Sequence, residues 1–240
     1  MKNNREGKGP AKLNAHAVRA FKQSIIHPKT FLPIQIRYNK NMKTTVSIQP
    51  CRSYHKPDVH QALEQALAGF GGLNTIIRPS DKILLKPDLL FAKPAEQAVT
   101  THPAVVEAVA SMASDCGARL YLGDSPPLPS AARVVRACGL EDVCRKYGIQ
   151  ILEFKNPGCT PRRQPIYTRA IKTPPIEQSL NEFDAIINLP KLKAHQQMML
   201  TCAVKNLFGC VTGRTKAYWH FKLTGNRDAF ADMVLAVAEK

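Results

Sequence analysis

Several absences narrow what this 240-residue chain can be. No apolar run approaches the roughly 18 residues that a membrane-spanning helix needs. No charged start, apolar stretch and small-residue cleavage site marks it for export. A cytoplasmic protein without membrane contact is therefore expected. The seven cysteines (Cys51, Cys116, Cys138, Cys144, Cys159, Cys202 and Cys210) include no C-x-x-C pair. Their odd number argues against a disulfide framework, and their spacing against a metal site built from cysteine alone. The phosphate-binding G-x-x-x-x-G-K-[ST], the dinucleotide G-x-G-x-x-G, the nucleophile elbow G-x-S-x-G and the zinc-binding H-E-x-x-H are all missing. Aromatics make up only 7% of the chain, with one tryptophan, so no basic–aromatic platform for stacking bases is built in.

Acidic residues are also scarce, and unevenly so. The formal net charge is +16, but half of it lies in residues 1–41, where nine Lys or Arg face a single acid, Glu6. That stretch has no sustained period. It reads as a disordered basic extension, with an organelle presequence or a nucleic-acid tether as alternatives. The remaining residues, 42–240, read as an α/β domain that is expected to continue past Lys240.

What the sequence does have is alternation. Thr45–Ile48, Ile83–Leu85, Arg119–Leu122, Gln150–Phe154 and Ala185–Leu189 read as strands. Pro57–Phe70, a helix opened by Thr100-Thr101-His102-Pro103, Ser130–Cys138, Leu140–Tyr147 and Arg227–Lys240 read as helices. Short apolar strands between amphipathic helices imply a mainly parallel sheet with helices on both faces, layered as in Rossmann-type proteins. The proline-rich stretch Pro157–Pro175 is expected to be a loop, edge hairpin or lid.

In such sheets ligands bind beyond the carboxyl ends of the strands. Three polar clusters fall there: Lys86-Pro87-Asp88, Gly123-Asp124-Ser125 and Asn188-Leu189-Pro190-Lys191. The segment Asn188–Lys222 adds Lys193, Lys205, Arg214, Lys216 and Lys222 with His195 and His220, and contains no acid at all. Unpaired cations in a cleft attract phosphate or carboxylate. Gly209 and Gly213 allow a backbone N–H to approach a ligand. Asp124 is a candidate base, metal ligand or cap of the next helix.

The strings Lys86-Pro87-Asp88-Leu89, Thr100-Thr101-His102-Pro103, Gly123-Asp124-Ser125-Pro126, Asn188-Leu189-Pro190-Lys191-Leu192-Lys193-Ala194-His195 and Ala203-Val204-Lys205-Asn206-Leu207-Phe208-Gly209 occur in one order. Together they resemble the domain-of-unknown-function family numbered 362, found in iron–sulfur-associated proteins, from about Met42 to Lys240. The family pattern usually has Asn where Asp88 stands, Gly where Pro127 stands and Thr where Ala194 stands. The resemblance implies a redox setting and, in longer relatives, a [4Fe-4S] domain, for which this chain carries no cluster motif.

The resulting expectation is a protein that binds an anionic small molecule at the C-terminal edge of the sheet. Lys86, Asp88, His102, Ser125, Asn188, Lys191, Lys193, Lys205, Asn206 and Gly209 are the candidate ligand-binding residues. Asp124, His195 and His220 are the candidate acid–base groups. No metal is assigned. An iron–sulfur redox partner is implied by the resemblance. The rival readings are a non-catalytic cofactor-binding or docking module, and nucleic-acid binding through the basic tail.

Overall fold

The computed structural model describes residues 25–26, 46–128, 130–158, 174–213 and 215–239. Four parallel strands form its centre: β2 (Lys82–Pro87), β3 (Arg119–Asp124), β4 (Gln150–Glu153) and β5 (Ala185–Leu189). A two-residue segment, β1 (Ile25–Ile26), lies antiparallel beside β5. The order across the sheet is β1-β5-β2-β3-β4. A small antiparallel hairpin, β6 (Lys193–His195) with β7 (Met199–Thr201), stands apart from it.

The helices are α1 (Lys56–Ala68), α2 (Pro103–Asp115), α3 (Ala131–Ala137), α4 (Leu140–Lys146), α5 (Ala203–Leu207), α6 (Thr215–Lys222) and α7 (Arg227–Ala238). Pro103 opens α2 in its first turn, where a missing N–H costs nothing. Ser130, rather than Asp124, caps α3, its side chain accepting from the Arg133 N–H. Gly139 ends the α3–α4 corner in the left-handed region, at φ 80°, a conformation a side chain would resist.

Strand alternation separates two cores. Ile83 and Leu85 of β2, with Leu120, Leu122 and Ile187, pack under α2, α3 and α4. Leu84, Ile186 and Phe154 face the other way, toward Leu207 and Ala238 of α5 and α7. Helices thus cover both faces, as the alternating pattern requires. Val106, Val109 and Ala113 of α2 are buried, and Val105 and Met112 beside them are partly buried.

Among the described residues one expected strand, Thr45–Ile48, is not seen over Val46–Ile48. Val46–Ile48 is irregular, and Ile48 is 83% exposed; the alternation there has no partner strand among the described residues and leads into α1. Apart from Ile25–Ile26, the expected extension 1–41 and the domain start at Met42 lie outside the described residues, as does most of the proline-rich stretch. No described helix is long and apolar enough to cross a membrane.

Candidate functional site

The chain passes from β2 through α2 to β3, then through α3 and α4 to β4, and finally crosses back over β2 to β5 on its other side. β2 is followed by α2 on one face of the sheet and β5 by α5 on the other, and where adjacent strands diverge in this way such sheets hold ligands beyond the carboxyl ends. The three polar strand ends meet there.

Register decides which of their side chains face each other. Lys86 of β2 is opposite Asn188 of β5. Both lie one alternation on from Leu84 and Ile186, so both face the α5 layer. Asn206 on α5 fills the space between them. Its Nδ2 donates to the Lys86 carbonyl (3.0 Å) and to Asn188 Oδ1 (2.7 Å), while Asn188 Nδ2 donates to the Ala203 carbonyl (2.9 Å). The Lys86 ammonium is fully buried and donates to Asp124 Oδ1 (2.9 Å), the Pro87 carbonyl (2.9 Å) and, more weakly, Asn206 Oδ1 (3.4 Å). Asp124 is equally engaged, accepting also from the Leu89 N–H (2.8 Å) and the Ser125 N–H (2.7 Å). Lys86, Asp124, Asn188 and Asn206 thus spend their polar atoms on one another and on nearby backbone groups, and form a rigid floor. Gly209 lies against it: a Cβ there would sit 2.2 Å from Asp124 Oδ1 and 2.7 Å from Lys86 Nζ.

A second pair lies beside the first. Lys193 Nζ contacts Asp88 Oδ2 (2.9 Å) and the Val99 carbonyl (2.7 Å). Burial pushes the Asp88 carboxyl above its ordinary value, and Lys193 opposes that rise. Thr101 ties the ends of β2 and β5 together, accepting from the Asp88 N–H and donating to the Leu189 carbonyl. Ser125 Oγ accepts from the Gly213 N–H (3.2 Å).

Above these two neutral pairs stand two lysines that make no ion pair among the described residues, although the Asp88 and Asp124 charges reach both. Lys205 and Lys216 are each half-buried, and neither has a hydrogen-bonding or ionic partner among the described residues. The Lys205 ammonium instead rests over Phe208 (4.6 Å to the ring centre) and Phe230 (5.4 Å). Burial, then the Lys216 charge, pull Lys205 down to about 8. Burial also lowers Lys216.

Two histidines complete this cluster. His195 Nδ1 accepts from the Gln197 and Met198 N–H groups, which leaves its own proton on Nε2. Gln197 Nε2 donates to the Leu223 carbonyl, so its Oε1 faces His220 and takes the His220 Nδ1 proton (3.0 Å). His220 therefore keeps a free lone pair on Nε2. The two rings lie 5.9 Å apart at 20°. Burial and the Lys205 charge lower both, His220 to about 4.

This makes the stability of the fold dependent on acid in a defined window. The folded value of His220 lies below the ordinary 6.5, so between pH 6.5 and about 4 the unfolded chain binds a proton that the folded chain refuses. The contribution is full above that window and is lost as pH falls through it, by on the order of 2 kcal/mol. Urea unfolding at pH 6.5 and 4.5 should show the wild type losing more stability than His220→Asn by about that amount. Equal losses would mean that His220 is not held neutral by the fold.

The sequence-derived candidates thus divide in space. Lys86, Asp88, Asp124, Ser125, Asn188, Lys193, His195, Lys205, Asn206, Gly209 and His220 gather at the crevice. His102 and Lys191 form an adjoining group around Tyr54, which stacks on His102 at 3.7 Å and bonds to Lys191 Nζ at 3.0 Å. Sequence reasoning passed over Lys216, although it stood in the acid-free segment. It also passed over Gln197 and Thr101, whose roles depend on contacts across the fold. Arg214 lies outside the described residues.

A match to Domain of unknown function (DUF362) covers residues 83–240. The chain belongs to the DUF362 family. It is also 33% identical, over 198 residues, to a thylakoid-associated protein of Synechocystis sp. (strain ATCC 27184 / PCC 6803 / Kazusa), an alignment covering 82% of this chain and 60% of that relative. The chain therefore spans less than two thirds of the relative's length. No solved structure matches it.

The [4Fe-4S] group that the DUF362 resemblance implies in longer relatives does not fit the described cysteines. Cys138 and Cys144 pack in the core under α2, α3 and α4, whereas Cys210 is buried in the opposite layer with its thiol pushed up to about 11. Cys51 is exposed, and Cys159 lies outside the described residues. Among the described residues no three His, Cys, Asp or Glu side chains gather as a metal-ligand set.

Proposed function

We propose that this DUF362 chain binds an anionic small molecule, a phosphate or carboxylate, in the crevice at the carboxyl ends of β2 and β5. The observation that carries the reading is the pair Lys205 and Lys216, half-buried beyond the carboxyl ends of β2 and β5 and making no ion pair among the described residues, while the Asp88 and Asp124 charges that reach them are already bonded to Lys193 and Lys86. A buried or half-buried cation is costly to leave unpaired. An arriving anion would relieve that cost, while the Lys86–Asp124 and Lys193–Asp88 pairs keep the surroundings rigid. Ser125 and Gly213 line the same end of the sheet.

The acid–base groups in this reading are His195 and His220. Asp124, fully engaged by three donors, fits better as the anchor of Lys86 than as a group that moves protons. The link to an iron–sulfur redox partner rests on the family resemblance. The cytoplasmic placement is likewise part of the proposal, set beside the thylakoid association in the relative's name. A non-catalytic module would use the same cations and differ only in lacking turnover.

The test is thermal unfolding of the chain with inorganic phosphate and a panel of phosphorylated and carboxylate metabolites. A ligand that binds only the folded state raises the midpoint with concentration. Lys205→Ala should weaken the binding about 10- to 100-fold, the worth of one charge-assisted hydrogen bond. A midpoint that no anion shifts, or a shift untouched by Lys205→Ala, would remove this site from consideration.

A further inference from the structure

Away from the crevice, an open hollow of about 390 Å³ lies between α1, α2 and the segment that leads into α1. That volume falls among those of small-molecule sites, about 300–1,000 Å³. None of the crevice residues lines it. Its floor is Val59, Ala62, Leu63 and Ala66, one face of α1 at i, i+3, i+4 and i+7, joined by Val105 of α2. Such a stripe normally packs against a neighbour. Here two of its four positions are alanine, so the side chains stop short and the hollow remains.

The wall is held in place by its own bonds. Ser53 Oγ donates to Asp58 and accepts from the His55 N–H (3.0 Å), and Cys51 Sγ donates to the Ser53 carbonyl (3.1 Å). Tyr54 stacks on His102, and its hydroxyl accepts from Lys191. The acids of this corner are engaged: Asp58 by Ser53 and His55, Glu64 by His60, and Glu107 by Lys56 and Lys146. Arg52 and Gln49 also line the hollow, and neither has a hydrogen-bonding or ionic partner among the described residues. An apolar floor beside a guanidinium without a counter-ion is complementary to an apolar body carrying one carboxylate, which a guanidinium can hold by two parallel hydrogen bonds.

We infer that this hollow binds an aliphatic monocarboxylate, with its chain on the α1 stripe and its carboxylate against Arg52. Removing the stripe and the chain from water drives the binding, and the charge pair orients the ligand and selects an acid over an alcohol. The inference stands apart from the crevice, because inorganic phosphate has no apolar body for this floor.

The probe is octanoate, used with the full chain and two readouts. One is the unfolding midpoint, which should rise with octanoate concentration. The other is alkylation of Cys51 by iodoacetamide, mapped by mass spectrometry. Cys51 lines the hollow and is the one exposed cysteine among the described residues. At ten times its dissociation constant octanoate should slow alkylation of Cys51 about tenfold, because only the empty site reacts, and should leave the partly buried Cys116 unchanged. 1-Octanol should bind about 10- to 100-fold more weakly, the worth of a charge-assisted hydrogen bond. Arg52→Gln, at an exposed position, should weaken octanoate by the same factor and erase its advantage over octanol. Ala66→Phe, which fills the hollow, should abolish the protection of Cys51. Phosphate stabilisation, the test of the crevice, should be untouched by either variant. A midpoint shift without protection of Cys51, or protection that survives unchanged in Arg52→Gln, would overturn the site. Neither shift nor protection at millimolar octanoate would overturn it as well, and would leave the crevice reading standing.

Discussion

Replacing Lys86 with Met should cost the protein about 3–5 kcal/mol of stability, the usual consequence of leaving one member of a buried ion pair alone. Lys86 is 0% exposed and Asp124 5%. The methionine matches the aliphatic stem but offers nothing to Asp124 Oδ1, to the Pro87 carbonyl or to Asn206 Oδ1. Asp124 would keep the Leu89 and Ser125 N–H groups, but its charge would have no counterion within the floor. Urea unfolding measures the loss directly. Adding Asp124→Asn to Lys86→Met should return part of it, since a neutral amide no longer needs the ammonium and the two effects are coupled. A loss below about 1 kcal/mol for the single change, or strict additivity in the double, would show that the pair does not hold the crevice together. The same pair explains why a lysine is tolerated inside a parallel strand at all: its three donor positions are satisfied within the protein.

Gly209→Ala should be as damaging, for a steric reason. Among the described glycines the closest approach is here, with a Cβ placed 2.2 Å from Asp124 Oδ1 and 2.9 Å from Lys86 Cε. Neither neighbour can retreat: Asp124 is held by three donors, and Lys86 is walled in by Asn206. The added methyl must therefore move the short turn Phe208–Cys210 away from the sheet, and with it Lys205 on the preceding α5. Overpacking of this kind costs about 1–3 kcal/mol and more where the backbone must shift. The expected result is a fall in the unfolding midpoint together with weaker phosphate binding. Gly213→Ala offers a contrast, since open space surrounds the position where its Cβ would go, although its φ of +52° adds backbone strain. Equal stability losses in the two variants would argue that conformation, and not the Asp124 contact, makes Gly209 necessary.

The sheet itself was legible because its strands are short apolar runs flanked by turn residues. Ala185–Leu189, ending before Pro190, has the bounds that composition implies, and Pro103 and Gly139 mark their helix boundaries by chemistry that acts locally. Thr45–Ile48 shows the limit. Alternation states only that a segment could pair, whereas pairing needs a neighbour, and Val46–Ile48 has none among the described residues. The hairpin β6–β7 and helix α6 escaped notice for a related cause: each is short, largely exposed and held by contacts from elsewhere in the chain.

For the site, the sequence by itself determined that cations without acids would collect between Asn188 and Lys222, and that three polar strand ends would share an edge if the strands were parallel. Only the tertiary structure decided which of those groups are free. Lys86 and Lys193 meet Asp124 and Asp88 from distant positions, and Lys205 and Lys216 are left with no ion pair among the described residues. Charge is a property of each residue and can be read in order, but neutralisation is a property of distance, fixed by the register of β2 against β5 and by the packing of α5 and α6 over their ends.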